Sequence, residues 1–128
     1  MIRKYKIKAR SPRKESELQL QIAVVRYLQM QPGEILFNGS AGGIRTSMSQ
    51  AKKMKASGYR KGWPDLLIME PRGEFHGLAI ELKVKGNYPS AEQKKVIQDL
   101  KERGYWAEVA TGFDQAREII DFYFKLQP

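Results

Sequence analysis

Residues 65–84 constrain this chain more than any other stretch. Asp65-Leu66-Leu67-Ile68-Met69-Glu70 reads as a strand, Pro71-Arg72-Gly73-Glu74 as a turn, and residues 75–84 as the return strand. In the return strand Leu78, Ile80, Leu82 and Val84 alternate with Ala79, Glu81 and Lys83. The first set faces a core and the second faces the other way. With the turn centred near Gly73, Asp65 and Glu81 stand at equal distances from it and fall opposite each other. Opposed residues of a hairpin have Cβ atoms about 4.5–5.5 Å apart. Lys83, two residues beyond Glu81, projects from the same face. The spacing therefore predicts two carboxylates and an ammonium at one spot.

The rest of the chain supplies elements to cover that hairpin. Residues 15–30 read as a helix with Leu18, Ile22 and Val25 at helical spacing and Leu20, Val24, Tyr27 and Leu28 widening the stripe. Ser11-Pro12 is its start signal and Pro32-Gly33 its end. Residues 34–38 form a short strand closed by the Gly39-Ser40-Ala41-Gly42-Gly43 loop. A helix within 44–61 is weakly indicated by Met48, Ala51 and Lys55, with Gly58 to stop it. Ser90 with Gln93 three residues on is a capping-box pattern opening a helix that Gly104 ends, with Val96, Ile97 and Leu100 as its buried stripe. Residues 105–110 are a fourth strand, and a last helix runs from about Asp114 to Lys125. The order α-β-(α)-β-β-α-β-α predicts an α/β fold: one small mixed β-sheet flanked by helices. Residues 1–14 are a basic N-terminal arm, and residues 15–128 form a single domain.

Composition narrows the chemistry. The chain has 128 residues, no cysteine and one histidine, His76. Disulfide scaffolds and Cys/His zinc sites are excluded, and a nucleophile with a histidine base would rest on His76 alone. No apolar run approaches the roughly 20 residues that span a bilayer. A soluble cytoplasmic protein with no membrane partner is the expectation. The net charge of +9 is uneven: residues 1–64 hold 14 basic and 3 acidic side chains, and residues 65–128 hold 9 and 11. A chain polarised in this way meets a polyanion with part of its surface, nucleic acid first and an anionic membrane second. A membrane-surface helix would need large apolar residues opposite its cations, and residues 44–61 have few.

Two carboxylates forced together repel unless a cation lies between them. Carboxylate oxygens suit Mg²⁺, which keeps reactive waters and can polarise a phosphoryl oxygen. A lysine beside it can orient water or meet charge developing on phosphate. Metal-assisted hydrolysis of a phosphodiester is the chemistry this composition best permits. The competing reading makes Lys83 a salt-bridge partner of two unrelated surface acids, in a DNA-binding module without catalysis.

Pro64-Asp65…Glu81-Leu82-Lys83 resembles the PD-(D/E)XK nuclease signature. Glu15-Ser16-Glu17-Leu18-Gln19, Gly62-Trp63-Pro64-Asp65, Ser90-Ala91-Glu92-Gln93 and the strand from Gly104 to Val109 narrow the likeness to the VRR-NUC family of virus-type replication–repair nucleases, over about residues 15–120. The resemblance implies an αβββαβ restriction-endonuclease-like core and a Mg²⁺- or Mn²⁺-dependent DNA endonuclease. Small members resemble Holliday-junction resolvases, which implies a homodimer acting on branched or four-way DNA; restriction-type and single-strand or flap cutting are the alternatives within the class. By the same resemblance Asp65, Glu81 and the backbone carbonyl of Leu82 are metal ligands and Lys83 is the catalytic lysine. Glu15 is selected over Glu17 as the first-helix acid because it stands three residues before Leu18; its alternative is a glutamate complementing the helix dipole. Gln93 matches the family's glutamine or only serves the capping box, and Ser40 sits where resolvases place a phosphate- or metal-site serine. Trp63 stacks on a base or packs in the core. The expected DNA contacts are Arg3, Lys4, Lys6, Lys8 and Arg10 in the arm and Arg45, Lys52, Lys53, Lys55, Arg60 and Lys61 in the middle segment.

Overall fold

A computed structural model describes residues 16–40 and 47–128. The element order is α1 (Glu17–Gln29), β1 (Phe37–Gly39), α2 (Met48–Ala56), β2 (Leu66–Ile68), β3 (Leu78–Lys83), α3 (Ala91–Glu102), β4 (Trp106–Thr111) and α4 (Gly112–Phe124). The four strands form one sheet in the order β1-β2-β3-β4. β1 pairs antiparallel with β2 and β2 antiparallel with β3, whereas β4 lies parallel to β3. A parallel pair needs a long crossover, which α3 provides. The mixed α/β class and the element order follow the sequence reading. The arm and Arg45 lie outside the described residues.

β3 is buried along its whole length because it sits inside the sheet with helices on both faces. On one face Leu66, Ile68, Leu78, Ile80 and Leu82 pack with Leu20, Val24 and Leu28 of α1 and Ala116, Ile120 and Tyr123 of α4. On the other, Ala79 and Ala107 pack with Val96, Ile97 and Leu100 of α3. Burying each of the larger side chains contributes about 1.5–3 kcal/mol. The Tyr123 hydroxyl donates to the Glu70 carbonyl at 2.6 Å, tying α4 to the hairpin base.

Three details depart from the sequence expectation. The start of α1 is Ser16, whose hydroxyl accepts from Gln19 N–H while the Gln19 side chain accepts from Ser16 N–H; Ser11-Pro12 lies outside the described residues. Leu18 and Ile22, expected in the buried stripe of α1, are 68% and 44% exposed. The stripe is Leu20, Val24 and Leu28, spaced by four, and residues two positions away point to the opposite side of a helix. β2 begins at Leu66, so Asp65 stands just before the strand rather than within it.

α2 exists, capped by Ser47 and Gln50, and buries none of its residues. Met48, Ala51 and Lys55 share no packed face; all three are exposed. Among the described elements α2 packs against no other helix or strand. Its sequence, rich in lysine and without an acid, has no apolar stripe to bury.

Candidate active site

The ladder between β2 and β3 pairs Leu66 with Ile80, Leu67 with Ala79 and Ile68 with Leu78. Extending that register by one residue sets Asp65 opposite Glu81, as the turn symmetry predicts. Asp65 Oδ2 accepts from Leu82 N–H at 2.7 Å, which fixes the carboxylate against β3. The N–H and C=O of one strand residue face the same edge, so the Leu82 carbonyl lies on the Asp65 side as well.

Glu81 is 2% exposed and Lys83 8%. Glu81 Oε1 accepts from Gln93 Nε2 at 2.7 Å and lies 3.4 Å from Lys83 Nζ. Glu81 Oε2 is buried with no hydrogen-bond partner among the described residues. Burial raises the Glu81 carboxyl to about 8, and the neighbouring Asp65 charge pushes in the same direction. Burial also raises Asp65. Two opposed carboxylates, one with an oxygen that accepts no hydrogen bond among the described residues, are the kind of donor set a hard divalent cation takes up, and such an ion would reverse both shifts. Among the described residues no three His, Cys, Asp or Glu side chains cluster as a ready metal site. The ligands available here are two carboxylates and one backbone oxygen.

The Gln93 side chain closes the capping box and also reaches Glu81. Its Oε1 accepts from Ser90 N–H at 2.8 Å, closing the capping box, while its Nε2 holds Glu81. One amide can do this because its carbonyl and its amino group face different partners.

Among the described residues, the first-helix acid brought to the cluster is Glu17. Its Oε1 lies 3.7 Å from Lys83 Nζ and accepts from Asn87 Nδ2 at 3.3 Å. Glu15 lies outside the described residues. The selection of Glu15 rests on the premise that Leu18 is the first buried aliphatic. Leu18 is exposed and Leu20 is buried, and three residues before Leu20 is Glu17.

Gly62 positions the approach to Asp65. Its φ is +91°, and a Cβ there would meet the Glu92 and Gln93 backbone at 2.6–2.9 Å. The loop before Trp63-Pro64-Asp65 therefore lies directly on the first turn of α3. A cleft of about 240 Å³ opens over the cluster, walled by Glu17, Tyr59, Lys61, Trp63 and Gln93 with Asp65 and Glu81 at its floor. It adjoins a wider basic groove of about 860 Å³ between α2 and α3, lined by Lys55, Arg60, Lys61 and Lys95. Arg60 and Lys95 each grip Asp99, at 2.7 and 2.6 Å, and Lys95 first, then Arg60, holds that carboxyl down at about 2. Lys52 and Lys53 are exposed on α2.

Ser40 adjoins the same site from β1: its N–H donates to the Asp65 carbonyl at 2.8 Å. Trp63 is half-buried, packed beside the α3 core while also lining the cleft. His76 is exposed at the far end of the hairpin, stacked edge-on near Tyr105. Sequence reasoning passes over Tyr59 altogether; the only signal for it is a single aromatic in a run of cations.

The chain matches the VRR-NUC domain over residues 3–114. A solved structure described as a VRR_NUC domain protein aligns with a TM-score of 0.76 at 36% identity, covering 87% of this chain and 89% of its own. No curated protein matches.

Proposed function

Since this chain belongs to the VRR-NUC domain family, whose members are nucleases, we propose that it is a divalent-metal-dependent endonuclease that cuts branched DNA, four-way junctions included. The observation that carries the reading is the opposition of Asp65 and Glu81 with Glu81 Oε2 unpartnered and Lys83 alongside. Asp65, Glu81 and the Leu82 carbonyl would hold the ion, Mg²⁺ or Mn²⁺. When bound, the ion neutralises the two carboxylates and supplies Lewis-acid chemistry at a phosphate. Gln93 holds Glu81 Oε1, so the other oxygen is left for the ion. Glu17 and Glu81 flank Lys83 and hold its ammonium in place, so Lys83 orients the attacking water and meets charge developing on the phosphate oxygens.

A panel of single-stranded, duplex, flap and four-way DNA tests the reading. Cleavage is expected with Mg²⁺ or Mn²⁺, strongest on branched substrates, and none in excess chelator. Cleavage undiminished by chelator removes the metal-dependent reading, and uniform cutting of all shapes removes the branched substrate.

The cations of the arm and of α2 form the phosphate-binding surface in this proposal. Each phosphate neutralised on duplex DNA contributes about −0.9 to the log–log salt slope of binding. Deleting residues 1–10 removes Arg3, Lys4, Lys6, Lys8 and Arg10. With about half of these on phosphates, the slope falls by roughly 2 while turnover at saturating DNA changes little. An unchanged slope with a lowered melting temperature would show that the arm is a structural strand instead.

A homodimer completes the proposal. Phe122 on α4 is 58% exposed and lies edge-on to Trp106, whereas Leu126 is used within the chain as a cover over Gly73. Two copies joined through α4 would present two active sites to the two strands of a junction. Sedimentation is expected to give twice the chain mass, and Phe122→Asp to give monomers; a wild-type monomer that still cuts junctions would refute the dimer. No described helix is long and apolar enough to cross a membrane.

A further inference from the structure

A second concavity lies beside the catalytic cluster, and nothing in the metal chemistry uses it. It has a volume of about 330 Å³ and is lined by Asn38, Ser40, Tyr59, Arg60, Trp63 and Leu67. Tyr59 and Trp63 also wall the cleft above Asp65 and Glu81, so the two spaces share one partition. Ser40 Oγ is buried and has no hydrogen-bond partner among the described residues. A buried hydroxyl in that condition is unfavourable and marks a place where a ligand's donor or acceptor would be matched. Tyr59 is 37% exposed and belongs to neither hydrophobic core. Its N–H donates to the Met54 carbonyl at 2.9 Å, which sets the residue just past the end of α2, where it lines both this concavity and the basic groove.

We propose that this concavity receives one unpaired nucleobase of the strand being cut, adjacent to the scissile phosphate. Tyr59 stacks on the base, Asn38 and Ser40 Oγ meet its polar edge, and Arg60, steadied by Asp99, contacts the neighbouring phosphate. The inference rests on the nuclease reading and specifies its substrate: DNA in which a nucleotide beside the cut is not base-paired. The lining combines what a base requires. An aromatic face accepts any base, cations follow the backbone, and amide and hydroxyl groups supply both donors and acceptors. The volume is at the small end of ligand pockets, which suits one splayed-out base and excludes a duplex.

The test uses the full chain in chelator, so that binding is read apart from cleavage. The probe is a single-stranded oligonucleotide carrying 2-aminopurine, moved along the strand in a set of oligonucleotides. Binding by the parent is expected to quench the probe at one or two positions. Tyr59→Ala is expected to lose that quench and bind the single strand roughly 5- to 100-fold more weakly, with Tyr59→Phe restoring both. Duplex binding and the melting temperature should stay close to parental in both variants, because Tyr59 is outside the cores. Ser40→Ala should change the relative affinity for different bases at the quenched position. Parental quenching by Tyr59→Ala, or equal weakening on duplex and single strand, would overturn the subsite. The two readings fail separately. Quenching without cleavage by any divalent cation sinks the nuclease and leaves the subsite. Metal-dependent cleavage indifferent to Tyr59 sinks the subsite and leaves the nuclease.

Discussion

Glu81→Gln, Asp65→Asn and Lys83→Met are each expected to slow cleavage by roughly a thousandfold or more while leaving DNA affinity within a few-fold of parental. The near-isosteric changes matter. Asp65→Ala would strip the Leu82 N–H of its partner and confound lost chemistry with lost stability. Asn at the same position keeps an acceptor for that N–H and removes only the charge. Affinity should persist because the proposed phosphate contacts come from cations other than these three residues, and phosphate contacts dominate affinity. Because the three residues act as one unit, the double variant Asp65→Asn/Glu81→Gln should be little worse than either single one. Single-turnover cleavage and filter binding measure both quantities. Normal turnover by Glu81→Gln would show that the opposed carboxylates are not the catalytic centre.

The same substitution should make the metal-free protein more stable in alkali. Burial first, then the Asp65 charge, pushes the Glu81 carboxyl up to about 8 in the folded chain from an ordinary carboxylate value of 4.5. Between those two values the folded state holds a proton that the unfolded state has released. Stability therefore falls as pH rises from about 5 to about 8, and the full cost is present above that range. The cost is on the order of a few kcal/mol, shared with Asp65, whose carboxyl is shifted in the same direction. The neutral amide introduced by Glu81→Gln would resemble the protonated acid at every pH. Urea unfolding of the metal-free protein should show the parent weakening between pH 5 and 9 and Glu81→Gln weakening less, with the variant the more stable at pH 9. Millimolar Mn²⁺ should narrow that gap at pH 8 by stabilising the parent alone. A variant less stable than the parent at pH 9 would mean that Glu81 is held by its hydrogen bonds rather than destabilised by burial.

How much of this is visible in the chain beforehand depends on how strongly each segment states its periodicity. The hairpin is legible because a two-residue alternation and a glycine turn leave a single register, and that register alone pairs Asp65 with Glu81. α1 is legible as a helix but not in its orientation. Leu18, Leu20, Ile22 and Val24 recur every second residue, so the sequence offers two faces, and the sheet selects the one carrying Leu20 and Val24. With that choice the acid three residues before the first buried aliphatic is Glu17, while Glu15 lies outside the described residues. Gln93 can be read for either of two functions because the capping geometry that orients its carbonyl also points its amino group at Glu81. The base-sized concavity is not legible, because it is assembled from β1, the end of α2 and the loop before β2. Only the folded sheet brings those residues within reach of one another.

The isolation of α2 separates two properties that are usually tied together in a small protein. No core residue leans on this helix, so exchanging its side chains leaves the packing of the sheet unchanged. If the α2 lysines bind phosphate as proposed, they can be gained, lost or reversed in sign under selection for how tightly DNA is held, with the melting temperature and the carboxylate geometry untouched. The hairpin that carries Glu81 and Lys83 has the opposite character, since every residue of β3 is enclosed. Relatives of this chain should accordingly diverge in grip well before they diverge in chemistry, and α2 is the segment at which affinity can be re-engineered without re-engineering the fold.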